Sequence, residues 1–596
     1  MFHYHGSQTL YQHRLLPAMT SFRVIELLPG AEAEEVVCKA HVCDWSNWLP
    51  YEAISYAWGD PTLKTPVFVD GHRLDVTRNL HAGLVHFRHP DKSRYVWADA
   101  ISINQGDIPE RGQQVKQMRR IYENAETVLI WLGADNVSRQ AKLSVDSVVT
   151  ISDFMCEKLN VSLSDLADIK NIYEDLIFMD RDKLPRPDET DFSSAPLWEA
   201  LVWFYAHPYF TRVWVIQELT ANKNRIVYCG RNSVEWDRVE LVAGYLILET
   251  SFSKDFGFSG TYCWWASTAP GEMTRNPRNW LNLLYLATNF NSTDPRDVIY
   301  GLRGLIESHK GSNLLDPDYS KSTADVYRDS VEAAMLDYEK TDVLCYLAGN
   351  ESPSWVPNWD KEMLFRNPFR FGRPMPWRPA GDTAPEWNID REKFILSISG
   401  FPRGSISIVE PYRDTYFGDA VLKAREKKEL LGQAWERILG AASRVKSIPL
   451  KEEVLTAIAV SFTFGLDDKS YPSDSQVLLY AFVAYLRLVL EKYIFDKYVP
   501  PDLDDAARDA DGHAFGKPIW DFEYPESSFF ITENGLLGCC MALISPGDLL
   551  FAPLGSTYLH VLHPEQDYFL AKGFAFAHGI MYCEGQQDGL QTVRIH

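Results

Sequence analysis

The sequence is poor in cysteine, in basic residues relative to acidic ones, and in uncharged apolar runs. Nine cysteines without a CxxC pair argue against a disulfide framework and indicate reduced thiols in an intracellular protein. The 59 basic residues against 81 acidic ones give a net charge of −22, which disfavours nucleic acid or an anionic membrane as a partner. The N-terminal residues contain no apolar segment of signal-peptide length.

The most apolar predicted helix, Val477–Phe495, contains three charged residues, Arg487, Glu491 and Lys492. Three charged residues are typical of a buried or amphipathic helix and not of a membrane span. We therefore expect a cytoplasmic protein with no membrane span.

Several signatures of catalysis and of metal binding are also missing. The chain has no GxxxxGK phosphate loop, no GxSxG nucleophile elbow and no HExxH helix. His3, His5 and His13 have no cysteine or carboxylate framework, so no metal site is expected. No bound cofactor is predicted either.

What is present indicates several ordered domains. A hydrophobic fraction of 46% with 18 tryptophans favours dense cores over disorder. A chain of 596 residues is too long to fold around a single hydrophobic core, so two to four domains are expected. The pattern predicts an α/β domain at residues 1–235, a helical region at 236–390, a mixed and mainly helical region at 391–520, and a β-rich domain at 521–596.

The stretch from Arg94 to Gly133 predicts strand, polar turn, helix and strand. Tyr95–Ile101 is aromatic and β-branched like a buried strand, Pro109 suits a first helical turn, and Thr127–Leu132 is a second buried strand. Strands joined by one helix lie parallel with a right-handed crossover. We expect Ala53–Tyr56 beside them in the same parallel sheet.

Local patterns predict further elements along the chain. Asp70-Gly71 should close a hairpin between Thr65–Val69 and Arg73–Val76, because this pair favours a tight primed turn. Gln140–Met179 is helical by periodicity, and the acidic Pro500–Gly516 is predicted as a loop. Short strands separated by turn residues follow near the C-terminus at Phe529–Thr532, Leu549–Ala552, Tyr558–Leu562, Tyr568–Leu570 and Phe574–Phe576.

Five segments carry a resemblance to a known family: YEAISYAWGD, WADAISINQ, ERGQQVKQMRRIY, VLIWLG and RVWVIQEL. In this order they resemble the fungal heterokaryon-incompatibility (HET) domain. Outside it the resemblance continues through STDPRDVIYGLRGL, DPDYSKS, SWVPNWD, FFITENGLLG, PGDLL and HGIM. Ser102 stands where the family usually has cysteine, so no role resting on a thiol applies at that position.

The resemblance implies a fold and a candidate reaction. The family's domain is similar to the TIR fold, a flavodoxin-like parallel sheet, and some TIR domains cleave NAD at its glycosidic bond. Their catalytic glutamate lies four residues after a tryptophan, as Glu218 follows Trp214, on one helical face. This implies Glu218 as the catalytic carboxylate and NAD as a substrate. The alternative is that Trp214 is core and Glu218 pairs with Arg212 or Arg111.

Other polar residues are candidates for substrate binding. Asp99, Asn104 and Gln105 follow a predicted parallel strand, where open α/β sheets place ligands, although the same residues favour caps and loop bracing. Tyr56 precedes a similar loop. That loop contributes Trp58, Gly59 and Asp60, and Gly59 permits close backbone approach. Arg111 and Arg212 are candidates for binding the oxyanion of a substrate, although arginines also form structural ion pairs.

Three functions remain open from the sequence. The first is a TIR-like enzyme of fungal non-self recognition and cell death that consumes NAD or a related nucleotide. The second is a non-catalytic module that signals through self-association or a protein partner. The third is an enzyme of small-molecule, secondary metabolism on the same scaffold, because fold alone does not decide function.

Overall fold

The computed structural model describes residues 7–134, 140–160, 162, 194–248, 279–347, 353–361, 363, 369, 374–413, 425–445, 450–467, 471–520, 526–583 and 589–596. The chain divides into two compact units. Unit 1 comprises Met1–Glu307 and Leu315–Thr323, and unit 2 comprises Ser308–Leu314 and Ala324–His596. The finer division at residues 235, 390 and 520 stays a prediction.

Unit 1 is an α/β unit. Its described strands are β1 (Ser7–Leu10), β2 (Ser21–Leu27), β3 (Val37–Asp44), β4 (Glu52–Tyr56), β5 (Lys64–Val69), β6 (His72–Thr77), β7 (Arg94–Trp97), β8 (Val128–Gly133), β9 (Arg225–Cys229) and β10 (Asn232–Glu235). Its described helices are α1 (Arg78–Phe87), α2 (Asp99–Ser102), α3 (Ile108–Glu123), α4 (Gln140–Leu159), α5 (Ala195–Tyr205), α6 (Val213–Thr220), α7 (Trp236–Leu248), α8 (Trp280–Ala287) and α9 (Asp297–Tyr300), with a 3-10 turn at Pro208–Thr211.

The described strands of unit 1 form one mixed sheet in the order β1-β6-β5-β3-β2-β7-β4-β8-β9-β10. Its centre is parallel, since β4 pairs in parallel with β7 on one side and β8 on the other. Ala53 is opposite both Trp97 and Val128. The predicted parallel neighbours are therefore confirmed, with β4 between the two strands that α3 connects.

Antiparallel and parallel pairs extend the sheet on the side of β7: β2 is antiparallel to β7 and β3, and β3 is parallel to β5. The predicted hairpin is confirmed as β5 and β6, and its turn residues Asp70 and Gly71 have φ values of 49° and 80°. Positive φ at both positions is the requirement of a type I′ turn. The side chains of the hairpin and of α1 pack into one apolar cluster that includes Val67, Leu80 and Trp131.

The strand predicted at Tyr95–Ile101 is shorter than expected. β7 ends at Trp97, and the chain turns at once into α2, whose first residue is Asp99. An acidic residue suits a first helical turn because the unpaired backbone N–H groups there are partly positive. The strand interpretation of residues 98–101 is therefore wrong, and the turn brings Asp99 to the end of the sheet.

A buried ion pair holds the loop that follows α2. Arg23 on β2 donates to Glu110 on α3 through Nη1 at 2.6 Å and Nη2 at 3.0 Å. Nη1 also donates to the carbonyl of Ser102 at 3.0 Å, and Glu110 accepts the backbone N–H of Asn104 at 2.7 Å. Three chain segments, β2, α3 and the stretch from Ser102 to Asn104, thereby meet at one charge pair.

Unit 2 combines helices with a second sheet. Its described helices are α10 (Thr323–Tyr338, beginning with the last residue of unit 1), α11 (Arg425–Val445), α12 (Glu452–Thr463), α13 (Ser475–Val489), α14 (Lys492–Tyr498), α15 (Pro501–Ala506) and α16 (Gly512–Trp520), with 3-10 turns at Ser312–Leu315 and Asp342–Tyr346. Its described strands are β11 (Trp387–Asp390), β12 (Ile395–Arg413), β13 (Glu526–Thr532), β14 (Leu537–Cys540), β15 (Leu549–Pro553), β16 (Leu559–Pro564), β17 (Phe569–Ala577) and β18 (Gln591–Ile595).

The second sheet is organised by β12. This strand spans 19 residues and pairs antiparallel with β13, β15 and β18 along different parts of its length. The path from β13 through β14, β17, β16 and β15 returns to β12, so the sheet closes on itself. The predicted β-rich C-terminal region is confirmed, and β12 from the preceding segment completes its pairing.

Two local predictions in the helical regions are wrong, and a third lies partly outside the described residues. The single helix expected over Val477–Phe495 is two helices, α13 and α14, separated at Leu490–Glu491. The loop expected over Pro500–Gly516 is wrong, because α15 and α16 occupy it; Pro501 fits a first helical position. α4 ends at Leu159, and residues 163–179 of the predicted Gln140–Met179 helix lie outside the described residues.

Among the described residues, we find no helix that combines the length and the apolar character required to cross a bilayer.

Removing the last strands should destabilise unit 2. A chain ending at residue 520 lacks every partner of β12 except β11, which leaves long unpaired edges that favour aggregation. We expect it to elute as aggregates in size-exclusion chromatography. A monodisperse product that melts at the temperature of the full chain would contradict the role assigned to β12.

Candidate functional site

Glu218 lies on α6, with 4% of its surface exposed, beside the carboxyl end of β4. Its Oε2 accepts a hydrogen bond from the hydroxyl of Ser55 on β4. The hydroxyl of Tyr209 lies 2.7 Å from the Ser55 oxygen. Because the one hydroxyl proton of Ser55 goes to Glu218, Tyr209 donates to Ser55. A small polar residue in the central strand thus brings a helix carboxyl group against the middle of the sheet.

The surroundings of Glu218 change its acidity. Burial raises the pKa of this carboxyl group to about 7, while the charge of Arg212 and hydrogen bonds from Ser55 and Tyr122 lower it, and Asp99 raises it further. A carboxyl group with a pKa near neutrality exchanges a proton readily at physiological pH. The group is therefore suited to acid–base catalysis or to stabilising a developing positive charge.

Asp99 forms a second acidic centre next to Glu218. Its Oδ1 accepts from the hydroxyl of Tyr56 and its Oδ2 from the indole N–H of Trp58, both at 2.8 Å. Gln105 donates to the backbone carbonyl of Asp99 at 3.1 Å, and Arg212 donates to the carbonyl of Tyr56. The structure therefore brings together Tyr56, Trp58, Asp99, Gln105, Arg212 and Glu218.

Other predicted site residues make different contacts. The Asp60 carboxylate accepts from the backbone and hydroxyl of Thr62 within its own turn, at 2.8 and 2.6 Å. Asn104 donates its backbone N–H to Glu110, a loop-bracing contact. Gly59 has a φ of 71°, which a glycine adopts without strain.

Trp214 and Arg111 belong to a separate buried network around Asp297. Asp297 accepts from the Tyr319 hydroxyl at 2.7 Å and from the Trp214 indole at 3.1 Å. The Arg111 guanidinium lies 3.6 Å from the centre of the Tyr319 ring and pairs with Asp294 at 3.6 Å. Trp214 and Glu218 share α6, but their polar atoms have different partners.

Burial also raises the pKa of Asp297, to about 6, although the hydrogen bond from Tyr319 opposes this rise. Residues 291–304 hold α6 at two further points. The N–H of Val213 donates to the carbonyl of Asn291 at 3.1 Å, and the N–H of Gly304 donates to the side chain of Gln217 at 3.2 Å. The position of α6, and with it Glu218, therefore depends on residues beyond the first 235.

Sequence reasoning did not single out Ser55, Tyr122, Tyr209, Asp297 or Tyr319. Four of them lie within segments that carry the family resemblance: Ser55 in YEAISYAWGD, Tyr122 in ERGQQVKQMRRIY, Asp297 in STDPRDVIYGLRGL and Tyr319 in DPDYSKS. For Ser55, a hydroxyl group within a largely apolar strand segment was the available signal. Ser102, the position without the family cysteine, is fully buried, and its hydroxyl accepts the N–H of Ala98 at 3.4 Å.

These contacts define an α/β protein with a buried acidic centre beside the carboxyl ends of its parallel strands. Residues 51–218 match the family described as Heterokaryon incompatibility protein (HET), so that the match ends at Glu218. The chain is also 24% identical to Heterokaryon incompatibility protein 6, OR allele, of Neurospora crassa, over 96% of this chain and 94% of that protein. No solved structure matches the chain. Residues 51–218 are therefore similar to the HET family, and the similarity to the Neurospora protein extends beyond them.

Tyr319→Phe should destabilise unit 1 through Asp297. It removes a donor from a buried carboxyl group, which costs about 1–3 kcal/mol of unfolding free energy. Denaturant titration at neutral pH measures this loss. Tyr95→Phe is the matched control, because its hydroxyl makes no hydrogen bond within the described ranges. Equal effects of the two changes would show that the Asp297 network contributes nothing specific.

Proposed function

We propose that the HET domain cleaves the glycosidic bond of NAD or a related nucleotide, with Glu218 as the key carboxylate, as part of fungal non-self recognition and cell death. One observation carries this proposal: a buried carboxyl group with a pKa of about 7 lies against hydroxyl groups at the carboxyl ends of parallel strands. The family match and the name of the Neurospora relative support the biological setting. The Trp214–Glu218 spacing shared with nucleotide-cleaving TIR domains supports the reaction.

The chemistry uses the ionised form of Glu218. The bond between the ribose C1′ and the pyridinium nitrogen breaks, and its electron pair leaves with nicotinamide, which departs as a neutral molecule. A carboxylate near C1′ stabilises the resulting oxocarbenium-like charge and accepts a proton from the attacking water. Water oxygen bonds to C1′, so that the products are nicotinamide, ADP-ribose and one proton.

The neighbouring groups have supporting roles in this proposal. Ser55, held by Tyr209, fixes one carboxylate oxygen of Glu218. The charge of Arg212 keeps part of the Glu218 population ionised at neutral pH. Trp58 is partly exposed and presents an aromatic face to a nucleotide, while the buried Tyr56 donates to Asp99 and helps to fix its carboxylate.

A second candidate is a non-catalytic module that acts by self-association. The low exposure of Glu218 favours it, because a carboxyl group enclosed by Ser55 and Arg212 also serves to brace α6 against the sheet. In this case the parallel sheet is an assembly platform, and the acidic centre is structural. The two candidates differ in what happens when Glu218 loses its charge but keeps its shape.

Glu218→Gln should abolish nicotinamide release and in-cell toxicity while the protein stays folded. Glutamine preserves the acceptor for Ser55 but supplies no negative charge. Purified full-length protein is incubated with NAD, and nicotinamide is measured by chromatography. Glu240→Gln, a buried glutamate of α7, is the control and should retain activity. Absence of release by the wild-type protein, with marked unfolding of the Gln variant, would favour the structural candidate.

The pH dependence should follow the ionisation of Glu218. Activity should rise with pH and reach half of its plateau near pH 7, because only the carboxylate stabilises positive charge. Initial rates between pH 5 and pH 9 measure this midpoint. An activity that falls as pH rises through 7 would contradict the assigned role.

Stability should change with pH in the opposite sense. The pKa of Glu218 rises from 4.5 to about 7 on folding, so ionising it in the folded state costs about 3 kcal/mol. Wild-type stability should therefore fall relative to Glu218→Gln between pH 4.5 and pH 7, then stay parallel above pH 7. Unfolding free energies of both proteins at several pH values test this. A constant difference across the range would contradict the raised pKa.

A further inference from the structure

A depression of about 350 Å³ lies between the end of β4 and the start of α1 in unit 1. Its walls include Trp58, Gly59, Leu63, Arg78 and Asn79. Pockets for small ligands begin at about this size, around 300 Å³. The depression thus has room for one nucleotide-sized group beside the acidic centre.

Arg78 supplies this depression with an unneutralised positive charge. Its side chain is exposed, and within the described ranges its guanidinium has no acidic or carbonyl partner. Asp60 also lines the depression, and its carboxylate accepts two hydrogen bonds from Thr62 within its own turn and forms no ion pair with Arg78 in the described ranges. A free guanidinium matches the oxygens of a phosphate group.

Trp58 supplies a fixed aromatic surface in the same depression. Its indole N–H donates to Asp99, which holds the orientation of the ring, and 37% of the residue stays exposed. An exposed indole face is suited to stacking against a heterocyclic ring. Through Asp99 and Tyr56, the tryptophan also joins this depression to the group of residues around Glu218.

A larger depression of about 1050 Å³ continues along α1 and shares Ala82 and Ala134 with the first. His81, His86 and Arg231 line it. Burial lowers the pKa of both histidines, so they are neutral at pH 7, and Arg231 pairs with Glu32 at 3.2 Å. This part lacks a free cation of its own and suits an uncharged nucleoside better than a phosphate.

We propose that the two depressions form one elongated site for a dinucleotide. The heterocycle nearest the acidic centre stacks on Trp58, the diphosphate binds Arg78, and the second nucleoside lies along α1 toward His86. From residue 78 to residue 86 the helix rises about 12 Å, so the two depressions together extend beyond the first one, which has room for one nucleotide-sized group. The assignment rests on the proposed function and narrows its substrate class from nucleotides to dinucleotides.

Binding to the full-length Glu218→Gln protein tests this site without turnover. Isothermal titration should show that Arg78→Gln in this background weakens NAD binding about tenfold, the loss of a charge-assisted hydrogen bond to phosphate. The matched control is Arg73→Gln, an exposed arginine of β6 that pairs with Asp75 and lines neither depression. It should leave the dissociation constant unchanged, and melting temperatures should confirm that both variants are folded.

A second titration separates the two parts of the site. NAD should bind at least about tenfold more tightly than nicotinamide mononucleotide, because only the dinucleotide reaches the depression beside His86. Equal affinities for the two ligands, no NAD binding, or an Arg78→Gln variant that binds like its parent would overturn the proposal. Binding that depends on Arg78 without nicotinamide release by the wild-type protein would instead support this site and refute the proposed reaction. Release that does not depend on Arg78 would support the reaction and refute the site.

Discussion

The Arg23–Glu110 ion pair is the contact on which the acidic centre of unit 1 depends. Its two hydrogen bonds join β2 to α3, and the same two side chains hold the carbonyl of Ser102 and the N–H of Asn104. Although burial raises the pKa of Glu110, the bonds from Arg23 and Asn104 lower it below its usual value. Both charges are buried, so removing either would leave the other uncompensated, which is more costly than losing the pair. The loop after α2 is thereby held by charge, while Ala98 and Ile101 pack the start of α2, which carries Asp99, into the apolar core.

From this loop, a chain of polar contacts leads to Glu218. Asp99 binds Tyr56 and Trp58, the carbonyl of Tyr56 accepts from Arg212, and Arg212 and Asp99 act on the pKa of Glu218 in opposite directions. A cation and an anion therefore adjust, in opposite directions, the pKa of a carboxyl group that burial raises. Such opposed effects are typical of sites where the protonation state matters, although structural ion-pair networks perturb pKa values too.

The parts of the fold that the sequence predicted are those determined by short-range patterns. The residues of Ala53–Tyr56 and Thr127–Leu132 are sufficient by themselves to predict apolar strands, whatever their position in the sheet. Likewise, Asp70-Gly71 by itself predicts its turn. The predictions for the end of β7 and for residues 501–520 were wrong, because they relied on composition. At these positions the residues that cap a helix determine where it begins. The acidic residues at 502–505 were predicted to form a loop. They instead form a favourable first helical turn.

The candidate site was predicted less completely, for a different physical reason. The spacing of Trp214 and Glu218 indicated one helical face, and both lie on α6. Their partners, Asp297 and Ser55, are 83 and 163 positions away along the chain, and no local pattern carries contacts over such separations. Ser55 in particular resembles a neutral strand residue until β4 is known to lie in the middle of the sheet.

The closed sheet of unit 2 has a consequence for how the protein is made. β12 leaves the ribosome long before β15 and β18, which pair with it and include nearly the last residues of the chain. At about 5–20 residues per second, roughly 10–40 s separate the synthesis of β12 from that of β18. During that interval a 19-residue strand has only β11 as an earlier strand partner. The nascent chain must therefore be kept from aggregating until β18 has been synthesised, because the edge of β12 that pairs with β18 is unpaired before then.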